Sequence, residues 1–453
     1  MLLSKEREES AMLLEFTVEN FLSFKDKTVL SMIASKNKEK EEEQTVPLKK
    51  LRILKNAAIY GANASGKSNL LVAINFMHHF VINSSKDSQQ GDTISVSSFK
   101  FNTESEKKPS VFEMVFLCDD IVYRYGFEVT PKKVESEWLF ARYTAKETQL
   151  FVRNEQNFQV GVKFKEGKKY IEAVRKNTLF LSVCAQFNGI ISSKILHWFR
   201  QVHVISSLEE RGYKGVTLHI LENKSSQLDK QKRDLIAFIK GIDVGIQNIA
   251  LKNKETIDFD NFLENLSPKD AKHLKQDLMN QIKKDGKKHK EPLQVAQLEI
   301  LSTHNKYDKN KKLISSDDYD FNIESTGTQK VFDLAGPIID TMYHGGILCI
   351  DEIQNSLHTS LVIGLIKYFV KNKINMKAQF IFTTHDVNIL AADILRRDEF
   401  WFVEKNNYGE SDLTCLVDFD EHVRKDARLD KDYLRGRYGA IPFLTLENFQ
   451  GNR

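Results

Sequence analysis

The chain has 453 residues, 41% of them apolar, with 30 Phe and only 7 Pro. That length suits roughly two to three domains, and the composition excludes a low-complexity chain. A net charge of +4 is too mild to mark a nucleic-acid binder by itself.

Cys118, Cys184, Cys349 and Cys415 stand far apart with no C-x-x-C pair. A zinc site or disulfide framework is therefore not indicated, and buried thiols in a reducing cytoplasm are expected. No apolar run reaches about 18 residues, so no membrane partner is expected. Residues 1–11 are charged and lack the apolar core of a signal peptide, so they read as a disordered or extra leader.

From Leu13 to Phe24 apolar and polar residues alternate, which predicts a strand running into a bend. Lys36 to Glu43 is a charge run and reads as a solvated loop. The apolar stretch Asn56–Tyr60 then leads into Gly61, Ala62, Asn63, Ala64, Ser65, Gly66, Lys67 and Ser68, followed by Asn69 and a helical pattern. Strand, glycine loop and helix with the spacing G-x-x-x-x-G-K-S describe a P-loop. Glycines let successive backbone N–H groups close on a polyphosphate, and the helix adds the positive end of its dipole. Lys67 is expected between the β- and γ-phosphates, and Ser68 on Mg²⁺.

From Ser95 to Val174 short alternating runs predict an antiparallel sheet, with a hairpin turning at Asp119 and Asp120. Thr178 to Val183 reads as a buried strand. Helical periodicity with many charges marks Ile190 to Pro292, with amphipathic candidates at Leu228 to Ile239 and Ala271 to Ile282. Lys283 to Lys290 is a basic run, either a solvated end or a contact to a nucleic-acid backbone. Strand-like sequence returns from Gln294 to Tyr307, and Phe321 to Asp340 reads as strand into helix.

The apolar run Gly346–Ile350 ends in Asp351 and Glu352, and Gln379 to Thr384 ends in His385. Residues that close buried parallel strands sit at the sheet edge where ligands bind. Asp351 suits the Mg²⁺ shell, Glu352 the attacking water, and His385 the γ-phosphate or that water.

Several motifs carry a resemblance. Glu19, Asn20, Phe21 and Phe24, the loop from Gly61 to Asn69, and the strand ending in Asp351 and Glu352 resemble ABC-type ATPase heads of the chromosome-maintenance and DNA-repair branch. In that resemblance Gln186 stands at the Q-loop, as a ligand of the metal and a catalytic residue. Ser325, Gly327 and Thr328 stand in the signature that opens a helix, Ser356 to His358 in the D-loop, and His385 at the switch histidine. Thr326 and Thr328 stand at or near positions where the commonest signature is small or glycine. The stretches from Glu324 to Gln329 and Asp351 to His358, with Phe382 to Asp386 and Gly436 to Pro442, are similar to stand-alone prokaryotic AAA-type ATPases with ABC heads. Members serve antiphage defence, the AriA-like ATPases of the PARIS system and the RloA-like proteins among them.

The resemblance implies an α/β fold. It comprises an ABC-type ATPase head, a mixed sheet with a P-loop core plus an antiparallel β-lobe, and a helical insertion. The expected division is 12–189 for the first lobe, 190–295 for the insertion and 296–453 for the second half of the head. It implies ATP and Mg²⁺, and a head-to-head dimer or larger ring in which the signature of one copy faces nucleotide on another. An effector nuclease toxin and a phage trigger protein are the implied partners. Two further readings are an ATP-gated clamp on DNA or RNA, using Lys283 to Lys290 and Arg424 to Arg437, and a self-contained nuclease. The last is disfavoured because 68 residues (453 − 385) follow His385, fewer than a typical domain.

Overall fold

The computed structural model describes residues 11–206, 213–223, 228–242, 245–264, 271, 275, 294–371, 377–419 and 428–441. The chain divides into two units, Met1–Lys214 with Pro337–Arg453, and Gly215–Gly336.

Among the described residues the first unit holds a small hairpin of Thr45–Leu48 with Leu51–Leu54 and two large sheets. In one, the strands run in the order Val202–Ile205, Gly346–Ile350, Ala378–Thr384, Asn56–Tyr60, Phe400–Lys405 and Ser411–Cys415. The first five are parallel and the last closes an antiparallel hairpin. Every residue of the three central strands is buried, as expected for continuous apolar runs covered on both faces.

The other sheet is antiparallel with seven strands. Met12–Glu19 lies between Thr28–Ser31 and Ser110–Cys118, and the strands Ile121–Val129, Val134–Arg142, Thr148–Asn154 and Asn157–Val160 follow in turn. The hairpin at Asp119 and Asp120 has φ 48° and 62° at those residues. Two left-handed positions match the twist of the flanking strands, and aspartate tolerates them.

Gln379 ties the two sheets together. From the parallel sheet its amide donates to the carbonyls of Leu13 and Leu54 (both 2.9 Å) and accepts the Leu13 N–H at 2.6 Å. The helix Lys67–Asp87 packs on the antiparallel lobe through rings. Phe76 meets Phe112 at 4.8 Å between centroids, and Phe80 meets Phe127 edge-on at 5.5 Å. All four cysteines are buried, and no disulfide joins them.

Some expectations fail. Thr178 to Val183 is not a strand: the helix Phe180–Gln186 begins there. The cause is Glu137, wholly buried in the lobe, whose carboxylate accepts the N–H groups of Phe180 (2.6 Å) and Leu181 (3.0 Å). A carboxylate on the first amides stabilises a helix N-terminus, and a short apolar run does not by itself distinguish strand from helix. The expected 190–295 insertion is also misplaced. Ile190–Arg200 packs with the first unit, and Val202–Ile205 is an edge of the parallel sheet.

The second unit is not purely helical. It holds the helices Lys214–Glu222, counting its first residue, and Asp229–Ile242, and a three-stranded antiparallel sheet of Ile246–Asp258, Gln294–Tyr307 and Leu313–Asp320. The pairing of 294–307 with 246–258 joins the sequence on both sides of the expected boundary at 295 into one sheet. Phe321 opens a short 3-10 turn rather than a strand, and the helix Thr326–His344 follows. Lys283 to Lys290, most of Ala271 to Ile282, residues 1–10 and 420–427 lie outside the described residues. Among the described residues no helix is long and apolar enough to cross a membrane.

Candidate functional site

The strand Asn56–Tyr60 delivers the P-loop at the carboxyl edge of the parallel sheet, and the loop ends at Gly66, the residue before the helix Lys67–Asp87. Gly66 has φ +114°, and a Cβ there would lie 2.4 Å from the Ser411 hydroxyl and 2.8 Å from that of Ser23. A Cβ on Gly61 would lie 2.6 Å from the Val403 carbonyl. Both positions therefore require glycine, one for its backbone and both for space. Ala64 also takes a left-handed φ, 62°.

Neighbours brace the loop from outside. The Ser411 hydroxyl donates to the Ser65 carbonyl at 2.6 Å, and the Asn69 amide donates to the Ser23 hydroxyl at 2.7 Å. Lys67 is buried, and its ammonium donates to the carbonyls of Gly61 (2.7 Å) and Ala62 (2.9 Å). Burial pushes its pKa below the usual lysine value, and Glu352 and Asp351 partly offset this. The Ser65 hydroxyl is buried without a hydrogen-bond partner. A buried hydroxyl in that condition is costly unless a ligand satisfies it.

Asp351 ends its strand two places away in the sheet, with the strand Ala378–Thr384 between it and the P-loop strand. The Ser68 hydroxyl donates to Asp351 Oδ1 at 3.1 Å. Thr383, on the intervening strand, donates to the same oxygen at 2.6 Å and accepts the Glu352 N–H at 2.7 Å. Glu352 has φ 47°, a left-handed position that costs a non-glycine residue about 1–3 kcal/mol. One threonine thus holds both acidic residues. His385 is exposed just past its strand, and its Nδ1 lies 3.1 Å from the Gln354 amide nitrogen.

Ser68, Asp351, Thr383, Glu352, Gln354 and His385 therefore gather along one edge of one sheet. A Mg²⁺ held by the Ser68 hydroxyl, one carboxylate and substrate phosphates fits this donor set. Among the described residues no cluster of three or more His, Cys, Asp or Glu side chains forms another metal site. Asn63 is exposed at the top of the loop. Gln186 is exposed at the end of the helix Phe180–Gln186, and no hydrogen bond among the described residues joins it to Ser68 or Asp351.

The signature residues lie in the second unit. The Ser325 hydroxyl accepts the Thr328 N–H at 3.1 Å and lies 2.8 Å from the Thr328 hydroxyl. It is an N-cap for the helix Thr326–His344, a contact of about 0.5–2 kcal/mol. The Gln329 amide returns to the carbonyls of Asn322 (3.1 Å) and Glu324 (2.9 Å). Glu324 accepts from the Ser302 hydroxyl at 2.5 Å and meets His304 Nε2 at 2.7 Å. Ser325 is exposed, Gly327 half-buried and Thr328 buried, so the loop presents hydroxyl and backbone at a fixed helix start.

Thr383, Gln354, Ser23 and Ser411 are site residues that sequence reasoning missed. Thr383 had a signal, since it lies two residues before His385 at a strand end. Ser411 had none, because only folding brings it to the P-loop.

The chain matches the family model described as "AAA domain, putative AbiEii toxin, Type IV TA system" over residues 57–177 and 190–391. No curated protein matches it. Similar solved structures include the SMC head domain from Thermotoga maritima, at 12% identity over 89% of this chain and 98% of that one, TM-score 0.38. Another is an SmcHead bound to the C-winged helix domain of ScpA, at 13% identity over 89% and 96%, TM-score 0.43. A third is an Smc head with an extended coiled coil bound to the C-terminal domain of ScpA derived from Pyrococcus furiosus, at 13% identity over 89% and 96%, TM-score 0.39. The family match covers well over half of the sequence, through both the P-loop and the Asp351 strand, and the chain belongs to this AAA-domain family.

Proposed function

We propose that the chain binds and hydrolyses ATP with Mg²⁺, that it does so between copies of itself, and that it controls a separate effector nuclease in antiphage defence. One observation carries the first step: Ser68 and Thr383 both donate to the same oxygen of Asp351, beside a P-loop with an unsatisfied buried hydroxyl.

In this reading the P-loop amides and Lys67 bind the phosphates, and Ser68 and Asp351 hold the metal, with Gln186 as a further ligand once the site closes. Mg²⁺, when bound, neutralises charge on the β- and γ-phosphates. Glu352, positioned through its own N–H by Thr383, takes the proton of the attacking water. His385, set by Gln354, donates to the γ-phosphate. Lys67 exchanges its two loop carbonyls for phosphate oxygens, a stronger, charge-assisted pairing.

Ser325, Gly327 and Thr328 open a 19-residue helix whose N-terminus suits an anion. The second copy brings them to the nucleotide, so ATP couples to assembly as a dimer or a larger ring. The family description names a putative toxin and a toxin–antitoxin system, and this supports a role in a defence that includes a toxic activity. Copurification with the products of neighbouring genes, with and without ATP, tests the reading. An ATP-dependent complex with a nuclease is expected, released by a phage protein. ATP turnover with no such complex, and with tight DNA or RNA binding instead, favours the clamp reading.

A further inference from the structure

Phe101 and Tyr408 are 76% and 77% exposed, among the most exposed large apolar side chains described. Tyr408 lies on the hairpin turn whose Ser411 reaches the P-loop, and Phe101 lies on a loop that packs against that turn. The Phe101 ring packs on the hairpin turn that carries Tyr408, since a Cβ on Gly409 would meet it at 2.7 Å. Two residues further on, Ser411 donates to the P-loop carbonyl of Ser65 and pairs its own N–H with the Ser23 carbonyl at 2.7 Å. Lys25 and Glu410 form an ion pair at 2.7 Å and tie the same bend to the same hairpin.

Asn20 fixes the third member of this assembly. Its amide donates to the carbonyls of Ser105, Lys108 and Pro109 at 2.8–3.1 Å, and its side-chain oxygen accepts the Phe99 N–H at 3.2 Å. Its own carbonyl accepts the Ser110 hydroxyl at 2.6 Å. The loop bearing Phe101 is therefore clamped at both ends to the bend whose Ser23 braces Gly66 and Asn69.

The strand order gives this corner a direction. The Asp351 strand lies on one side of the P-loop strand, and the hairpin Phe400–Lys405 and Ser411–Cys415 lies on the other. Ser68 and Asp351 mark the metal-bound end of a triphosphate, so its nucleoside end is directed away from Asp351, toward the hairpin. A flat, exposed aromatic surface on a rigid support suits a nucleobase, since every base has a π-face.

We propose that Phe101 and Tyr408 form the platform on which the base of the bound nucleotide stacks. This rests on the reading of 61–68 as a nucleoside-triphosphate site. Stacking alone reads no donor or acceptor pattern, so the platform accepts a purine without choosing between adenine and guanine.

The test compares ATP with inorganic tripolyphosphate, each with Mg²⁺, by calorimetric titration of the full chain. The variants are Phe101→Ala, Tyr408→Ala, the double substitution, and Tyr408→Phe, which keeps the ring. The double variant is expected to bind ATP about tenfold more weakly or worse and to bind tripolyphosphate as the unaltered chain does, while the unaltered chain is expected to show similar Kd values for ATP and GTP. Tyr408→Phe is expected to bind ATP normally. Unchanged ATP affinity in the double variant overturns the platform while leaving the P-loop reading intact, and an equal loss for tripolyphosphate overturns it as well. An unaltered chain that binds neither ligand overturns both.

Discussion

The Ser68 hydroxyl donates to Asp351 Oδ1 at 3.1 Å, across 283 positions of sequence. Neither residue alone marks a nucleotide site with any force, because serines start many helices and acidic residues end many strands. Their pairing arises from strand order: the strand Ala378–Thr384 slots between theirs, and its Thr383 completes the hydrogen bonding. Three consequences concern the residues that share this edge.

Thr383→Val removes a hydroxyl that serves Asp351 and the Glu352 N–H at once. Loss of buried hydrogen bonds of this kind costs about 1–3 kcal/mol. The variant is expected to melt several degrees lower, and its turnover should fall more than its ATP affinity. Calorimetry and steady-state kinetics check both.

Glu352→Gln keeps the shape and the N–H contact to Thr383 but removes the base. Turnover should fall by about 10²–10⁴-fold with ATP still bound. Assemblies formed with ATP should then persist, which gel filtration with light scattering would detect. Normal turnover would remove Glu352 from the chemistry.

Lys67→Ala removes the one buried ammonium of the P-loop and leaves the carbonyls of Gly61 and Ala62 without it. ATP binding should weaken by at least about a hundredfold, since a charged contact to phosphate is lost. Direct titration with ATP measures this.

Much of this edge was legible in the sequence. Glycine spacing at 61–66 and two apolar strands ending in acid and histidine are local patterns, and local patterns survive the step to structure. The helix Phe180–Gln186 was not legible, because its start depends on Glu137, 43 residues away from Phe180. The strand Ile246–Asp258 was hidden by its charges, and it is stabilised by a partner, Gln294–Tyr307, far along the chain. Ser23 and Ser411 illustrate the same limit: a hydroxyl gains a role only when folding supplies its partner.

Far from this edge, Glu399 is wholly buried, and burial raises its pKa to about 8, against the opposing pull of the Arg396 N–H and the Asn56 amide. The folded chain therefore holds a proton there that the unfolded chain releases above about pH 4.5. The resulting stability is complete below that pH and is lost as pH rises toward 8, at up to about 1.4 kcal/mol per unit. Glu399→Gln mimics the protonated form, so its melting temperature should fall less than that of the unaltered chain between pH 5 and pH 8. Equal slopes would contradict the assignment.

In the proposed assembly the nucleotide on one copy is completed by Ser325 and its helix from another. Lys67→Ala lacks a working P-loop but keeps its signature, and Ser325→Arg keeps its P-loop but blocks its signature. Each alone should be nearly inactive in ATP hydrolysis, and mixing them should restore activity, because hybrid assemblies contain one intact composite site. No recovery in the mixture, together with full activity of Ser325→Arg alone, would contradict it.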